Sequence, residues 1–132
     1  MDETLLAAYR GTAYRVRLAR GGWVVIRIDT PLPLELIGLV GTRRWSVLTA
    51  WNPHSELRSH ADNRAAQHRL LRELKACSEA IVAAEGVGSP WREASLFAIG
   101  PDTATMDILA RRYRQNAYVH GEAAGPAMLR IL

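Results

Sequence analysis

Glu93, Asn52, Asn63 and Gln115, together with the indoles of Trp51 and Trp91, are the side chains of this 132-residue chain that packing explains least well. Glu93 stands two residues before Ser95, so a group able to give or take a proton lies close in sequence to a hydroxyl. Asn52 and Ser55 bracket Pro53-His54 just after Trp51, and Asn116 follows Gln115. Arg64, beside Asn63, and Arg112 add positive charge. A few polar groups beside aromatic rings are what a small-molecule pocket requires, the rings for stacking and the polar groups for orientation. In an enzymatic reading, Glu93 is the sole candidate catalytic residue, acting as general acid or base. Asn52, Asn63 and Gln115 would then orient the substrate. One carboxylate without an identified partner does not define an enzyme.

Other patterns are weaker. Gly86-x-Gly88 lacks the Lys-Ser/Thr and the strand-to-helix setting of a phosphate-cradling loop. His54 and His60, and the pair His120-x-Glu122, do not have metal-ligand spacing, so neither a metal nor a cofactor is expected. Cys77 falls on an apolar helix stripe and reads as inert packing. No serine stands in a Gly-x-Ser-x-Gly elbow.

Composition narrows the class. Hydrophobic residues make up 48% and charged residues 23%, close to the globular average, and the length fits a single domain, residues 1–132, with one core. No apolar run approaches the ~18 to 20 residues of a membrane span. The acidic opening Met1-Asp2-Glu3 lacks the basic segment of a secretory signal, and the single cysteine makes no internal disulfide, so the cytoplasm is the expected compartment. The net charge of +4 raises the question of a polyanionic partner. Of the 17 basic residues all but Lys75 are Arg, scattered with no dense run, which reads as compositional bias; nucleic acid is not an expected partner. The sequence leaves the oligomeric state open.

The residues singled out need elements to position them. Thr4 to Tyr9 reads as a short helix ending near Gly11. Tyr14, Val16 and Leu18 alternate with Arg15 and Arg17 as in a half-buried strand, and Trp23 to Ile28 returns after Gly21-Gly22 as the second arm of a hairpin. Residues 31–44, with Pro31 and Pro33, read equally as a helix over Leu34 to Val40 or as an apolar lid. Trp45 to Trp51 reads as a strand stopped by Asn52-Pro53. Ser59 is a good N-cap, with Asp62 at the third position, for a long helix to Cys77 with the stripe Ala66, Leu70, Leu74 and Cys77. Ala80 to Ala84 is a strand, Gly86 to Pro90 a loop and Ala94 to Ile99 a strand. Asp102 or Thr103 caps a helix with the stripe Met106, Leu109, Ala110 and Tyr113. Ala117 to His120 is a strand, and Met128 to Leu132 a last edge segment.

The pattern predicts an α+β fold: a two-layer, ferredoxin-like βαββαβ core over residues 45–120, with an N-terminal helix and β-hairpin as an extension. In that topology one end collects Trp51, Asn52 and Ser55, then Asn63 and Arg64, then Trp91, Glu93 and Ser95, and lastly Arg111, Arg112, Arg114, Gln115 and Asn116. Asn63 lies three residues before Ala66 and seven before Leu70, on the face that points inward, and so needs partners such as Asn52, Glu93 or Gln115.

Thr49-Ala50-Trp51-Asn52-Pro53, Asn63-Arg64, Trp91-Arg92-Glu93-Ala94-Ser95 and Arg114-Gln115-Asn116-Ala117 occur in this order. The pattern, from Tyr14 to about Gly125, resembles the bacterial family called domain of unknown function 3293. The resemblance implies no activity, cofactor or substrate. From the residues themselves, the leading expectation is a small soluble domain binding a small anionic or nucleotide-like ligand at the polar end, with Trp51 and Trp91 stacking and Arg64 and Arg112 supplying charge. A small hydrolase or transferase using Glu93 is one alternative. A protein or RNA interaction module using an open sheet face or the Arg-bearing helices is the other.

Overall fold

A computed structural model describes residues 1–132. Four helices accompany one seven-stranded, wholly antiparallel sheet that curls into a half-barrel. Helix α1 (Glu3–Arg10) starts at Asp2, whose carboxylate accepts the Leu5 N–H at 2.7 Å, and ends at Gly11. Strands β1 (Ala13–Arg17) and β2 (Trp23–Ile26) form the expected hairpin, and Gly21 and Gly22 take the positive φ angles, 98° and 82°, that its turn needs. Of the two readings of residues 31–44, the helix over Leu34 to Val40 is the one found, as α2 (Leu34–Val40), with Leu36 and Val40 fully buried. Then come β3 (Arg44–Leu48), α3 (His60–Cys77), the hairpin β4 (Ala80–Val87) and β5 (Arg92–Ile99), α4 (Thr103–Arg112), β6 (Ala117–Glu122) and β7 (Met128–Ile131).

The strand order is β2-β1-β4-β5-β3-β6-β7. Beyond β2 the chain bends so that Asp29 N–H donates to Ala127 O at 2.8 Å and Ala127 N–H to Thr30 O at 2.9 Å, which draws the two ends of the sheet together. Alternation then sorts the side chains by face. Val47, Phe97 and Val119 point to the concave side and pack with Val16, Ile26, Leu36 and Val40; Leu48, Leu96, Ala98 and Tyr118 point to the convex side and pack with Leu70 and Leu74 of α3 and Met106, Leu109 and Ala110 of α4.

The expected two layers are thus corrected to a covered sheet. Helix α2 and the curl fill the face that a two-layer fold leaves open, because the hairpin extends the sheet at β4 and wraps the concave side. Strand β3 ends at Leu48, three residues short of the expected Trp51. There the ladder yields to side chains: Ala50 N–H donates to Gln67 Oε1 at 2.9 Å, Trp51 N–H to Thr49 Oγ1 at 3.0 Å, and Thr49 Oγ1–H to Ala94 O at 2.6 Å. Gly86-Val87 ends β4 instead of opening a loop. Cys77, expected on the core stripe, is exposed at the last turn of α3. Ser59 caps that helix as expected, accepting the Asp62 N–H at 3.1 Å. No helix is long and apolar enough to cross a membrane.

Candidate functional site

At one end of the concave face a pocket of about 270 Å³ opens between α1 and the first residues of β5. Each element supplies it for a local reason. On β5, Glu93 and Ser95 share the face of Phe97, two residues apart, and so point into the curl. On β1 the same alternation brings Tyr14 in beside Thr12, β3 supplies Val47, and Thr49 follows just past its end. Helix α1 closes the top with Leu5, Ala8 and Tyr9.

Below Glu93 lies a chain of amides. Asn63, 3% exposed in the first turn of α3, accepts the Asn52 backbone N–H through Oδ1 at 2.9 Å and donates from Nδ2 to Asn52 Oδ1 at 2.9 Å. Asn52 Oδ1 also accepts the Arg58 N–H at 3.0 Å, and Asn52 Nδ2 donates to Glu93 Oε1 at 3.0 Å. Gln115 donates from Nε2 to Trp51 O at 3.2 Å and to Tyr113 O at 3.1 Å, tying the exit of β3 to the end of α4. Asn116 Nδ2 donates to Ser55 Oγ at 3.1 Å.

The backbone of this corner is strained. Asn52, His54, Ser55 and Arg114 have φ of 45°, 54°, 62° and 55°, and the His54 N–H donates to Arg114 O at 2.7 Å, so these four meet here, while Asp29 and Ala123 take positive φ elsewhere. Each such conformation costs roughly 1 to 3 kcal/mol for a non-glycine residue, less for asparagine, and strain of this kind gathers where the surrounding structure holds a functional geometry.

Electrostatics single out Glu93. It is the only aspartate, glutamate, lysine, arginine or histidine among the lining residues, and no cation lies within ion-pairing distance of it. Burial pushes its carboxyl above the ordinary carboxylate range, against the opposing effect of the Asn52 hydrogen bond. The Tyr9 phenol is pushed up to about 12, first by burial and then by the Glu93 charge. Burial likewise raises Tyr14.

Trp91 stands at the mouth on a seat made for it. A Cβ on Gly88 would come within 2.4 Å of the indole Cε2, and one on Gly86 within 3.6 Å of Cζ3. The two glycines that superficially resemble a phosphate loop therefore admit a ring, not an anion.

Of the residues expected at the site, Trp51, Asn52, Ser55, Trp91, Glu93, Ser95 and Gln115 line the pocket. Asn63 and Asn116 stand one hydrogen bond behind Asn52 and Ser55. Arg64 is exposed on α3 and does not line it, and Arg112 pairs with Glu73 across α3 and α4. Neither guanidinium is part of the pocket wall. Sequence reasoning missed Tyr9, Thr12 and Tyr14, which come from the segment read as an extension. The alternation of Tyr14 with Arg15 marked a buried face, but nothing local says that β1 pairs with β4, Tyr14 opposite Gly86. No cluster of three or more histidine, cysteine, aspartate or glutamate side chains is placed to hold a metal ion.

No curated protein and no solved structure is found to match the chain. Residues 48–118 match a family model, and this stretch runs from the end of β3 to the start of β6 and so contains the amide chain, Trp91 and Glu93. As the match spans more than half of its length, the chain belongs to the family described as protein of unknown function (DUF3293).

Proposed function

We propose that this protein is a small-molecule-binding domain whose ligand enters the pocket between α1 and β5. The observation that carries the reading is Glu93: a carboxylate set into an apolar, aromatic-walled concavity, held at Oε1 by Asn52 and given no cation by the fold. A half-buried carboxylate without a counter-charge is a cost to the native state that a ligand with a matching group would offset. Trp51, Tyr9 and Tyr14 supply the apolar walls, and Trp91 the edge of the mouth. The volume sits just below the roughly 300 to 1,000 Å³ of drug-sized sites, which fits a small metabolite better than a polymer segment.

The middle strands, in the order β4-β5-β3-β6 with α3 and α4 on one face, support reading the centre of the fold as a split βαβ unit of ferredoxin type. In such a unit the exits of β3 and α4 and the entry of β5 share an end, which is why residues from 51 to 115 meet.

An anionic ligand, the leading expectation from sequence, loses its support because Arg64 and Arg112 stand outside the pocket. The hydrolase or transferase reading rests on Glu93 alone, since no histidine, cysteine or second carboxylate lines the site. An interaction module using an open sheet face has no such face to use, both being packed. We also expect no tight nucleic-acid binding.

A thermal-shift screen of small metabolites against the wild type and Ala8→Phe tests the proposal. Ala8 is exposed on α1 yet lines the pocket, so phenylalanine there fills the space without touching the core. Compounds should raise the melting temperature of the wild type by binding the native state, and the shift should vanish in the filled variant. Shifts that persist in Ala8→Phe, or a library that shifts neither protein, contradict it.

A further inference from the structure

Resting on the reading of the pocket as a ligand site, we infer that its ligand is an organic cation, an amine whose ammonium group pairs with Glu93 and whose carbon skeleton lies among the aromatic rings.

Three observations carry this. The first is charge. The chain has 17 basic residues and none lines the pocket, while its single charged lining side chain is negative. Glu93 is the one formal charge on the wall, and a positive group offsets the desolvation of that carboxylate more fully than a neutral donor does.

The second is the hydrogen-bond inventory. Among protein groups Glu93 receives one donor, Asn52 Nδ2, on Oε1; Oε2 receives none. Asn52 cannot rotate to offer more, because its Oδ1 is committed to Asn63 Nδ2 and Arg58 N–H and its backbone N–H to Asn63 Oδ1. A carboxylate held in place at one oxygen and bare at the other is an acceptor presented to a ligand donor. The raised proton affinity of Glu93 agrees with this arrangement.

The third is the aromatic wall. Cations are drawn to ring faces, and more strongly where water is excluded. The protein's own guanidinium groups use Trp23, over whose ring Arg15 and Arg17 lie at 4.6 and 5.5 Å. Neither Trp51 nor Trp91 has such an occupant, and both line the pocket with Tyr9 and Tyr14. Trp51 meets the His60 ring edge-on, centroids 5.5 Å apart, but no guanidinium. Rings without an internal guanidinium around one anionic group make a site for an ammonium group with an apolar body.

The test compares three probes of one shape: 2-phenylethylamine, 2-phenylethanol and 3-phenylpropionate, titrated into the full chain and followed by backbone-amide NMR shifts at Glu93 and Ser95. The amine should bind at least about tenfold more tightly than the alcohol, as a charge-assisted contact in a water-poor site does relative to a neutral one, and the carboxylate should bind most weakly. Glu93→Gln should reduce the amine's affinity to that of the alcohol and leave the alcohol within about twofold. Equal binding of amine and alcohol, or tighter binding of the carboxylate, overturns the inference about charge and leaves the pocket reading standing. Failure of all three to perturb the pocket overturns both. The three-probe comparison on the wild type needs no variant, so it decides the matter even where Glu93→Gln does not fold.

Discussion

Asp107, buried on α4, and Glu93, half-buried on β5, are carboxylates that the fold treats in opposite ways. Asp107 receives Arg130 Nε and Nη2 and the Tyr118 hydroxyl, each at 2.7 Å, a two-pronged ion pair completed by a phenol. The Arg130 hydrogen bonds hold its carboxyl below the ordinary range in spite of burial. Glu93 receives one neutral amide, and burial holds it above that range. Asp107 has what a structural clasp needs; Glu93 has a single neutral donor and no cation. One fold thus supplies its own control, and the difference marks which polar cluster serves stability and which is kept at a cost to it.

The contrast breaks most visibly at the clasp. Asp107→Ala should lose about 2 kcal/mol in urea unfolding, because Arg130 loses its acceptor and the Tyr118 hydroxyl keeps only the long bond to Thr103 O at 3.4 Å; partial exposure of Arg130 keeps the figure at the low end for a broken pair. A loss below about 0.5 kcal/mol, the range of ordinary surface changes, would show that the pair is not structural.

Asn63→Ala comes next, with about 2 kcal/mol expected, since a 3% exposed amide making bonds in both directions leaves the Asn52 N–H and Oδ1 without it. The amide chain is therefore a structural support beneath the site, and a melting temperature unchanged by the substitution would contradict that.

Glu93→Gln should move the other way. It keeps the Asn52 bond to Oε1 and removes the bare charge, so stability at neutral pH should hold or rise by up to about 1 kcal/mol. The sign follows from linkage. A carboxyl raised in the folded state binds more protons there than in the unfolded chain, so its stabilising contribution is full below the ordinary carboxylate pKa and is lost as pH rises through the folded value. The advantage of Glu93→Gln should thus shrink on acidification. Asp107, lowered in the fold, contributes stability above the ordinary pKa that is lost as pH falls through its folded value, so the deficit of Asp107→Ala should also shrink in acid. If Glu93→Gln proves clearly destabilising at pH 7, Glu93 belongs with the clasp.

Gly88→Ala should have the smallest effect on stability, a loss of about 1 kcal/mol or less, because the Trp91 ring it displaces is already 37% exposed and gives up only part of its packing. Its effect should fall on ligand binding. Unchanged affinity in this variant would remove Trp91 from the site.

Much of this geometry could be read from residue order. The spacing of Asn63 from Ala66 and Leu70 placed its amide inward, Ser59 and Asp62 marked the start of α3, and the alternation about Tyr14 and Val16 marked a strand, because each signal lies within a few turns of chain. What escaped depends on pairings between distant segments. The contact of β1 with β4 makes Tyr9 and Tyr14 walls of the pocket, and it joins residues some seventy apart with no local signature. Arg64 falls outside the pocket lining for a related reason. Arg64 follows Asn63 by one residue, and on a helix that step of about 100° carries a side chain from the core face to solvent. Strand β3 looked longer than it is because Thr49-Ala50-Trp51 has strand-forming residues, yet their hydrogen bonds go to Gln67, Thr49 and Ala94 instead of a continued ladder.

The comparison rests on the charge states of two side chains, and a carbon-13 NMR titration of the Glu93 and Asp107 carboxyl groups in the folded, ligand-free protein measures both. Glu93 should titrate above the ordinary carboxylate range and Asp107 below it. A Glu93 carboxyl titrating at or below that range would mean that the fold supplies the counter-charge itself, and the pocket would lose the group on which its proposed function depends.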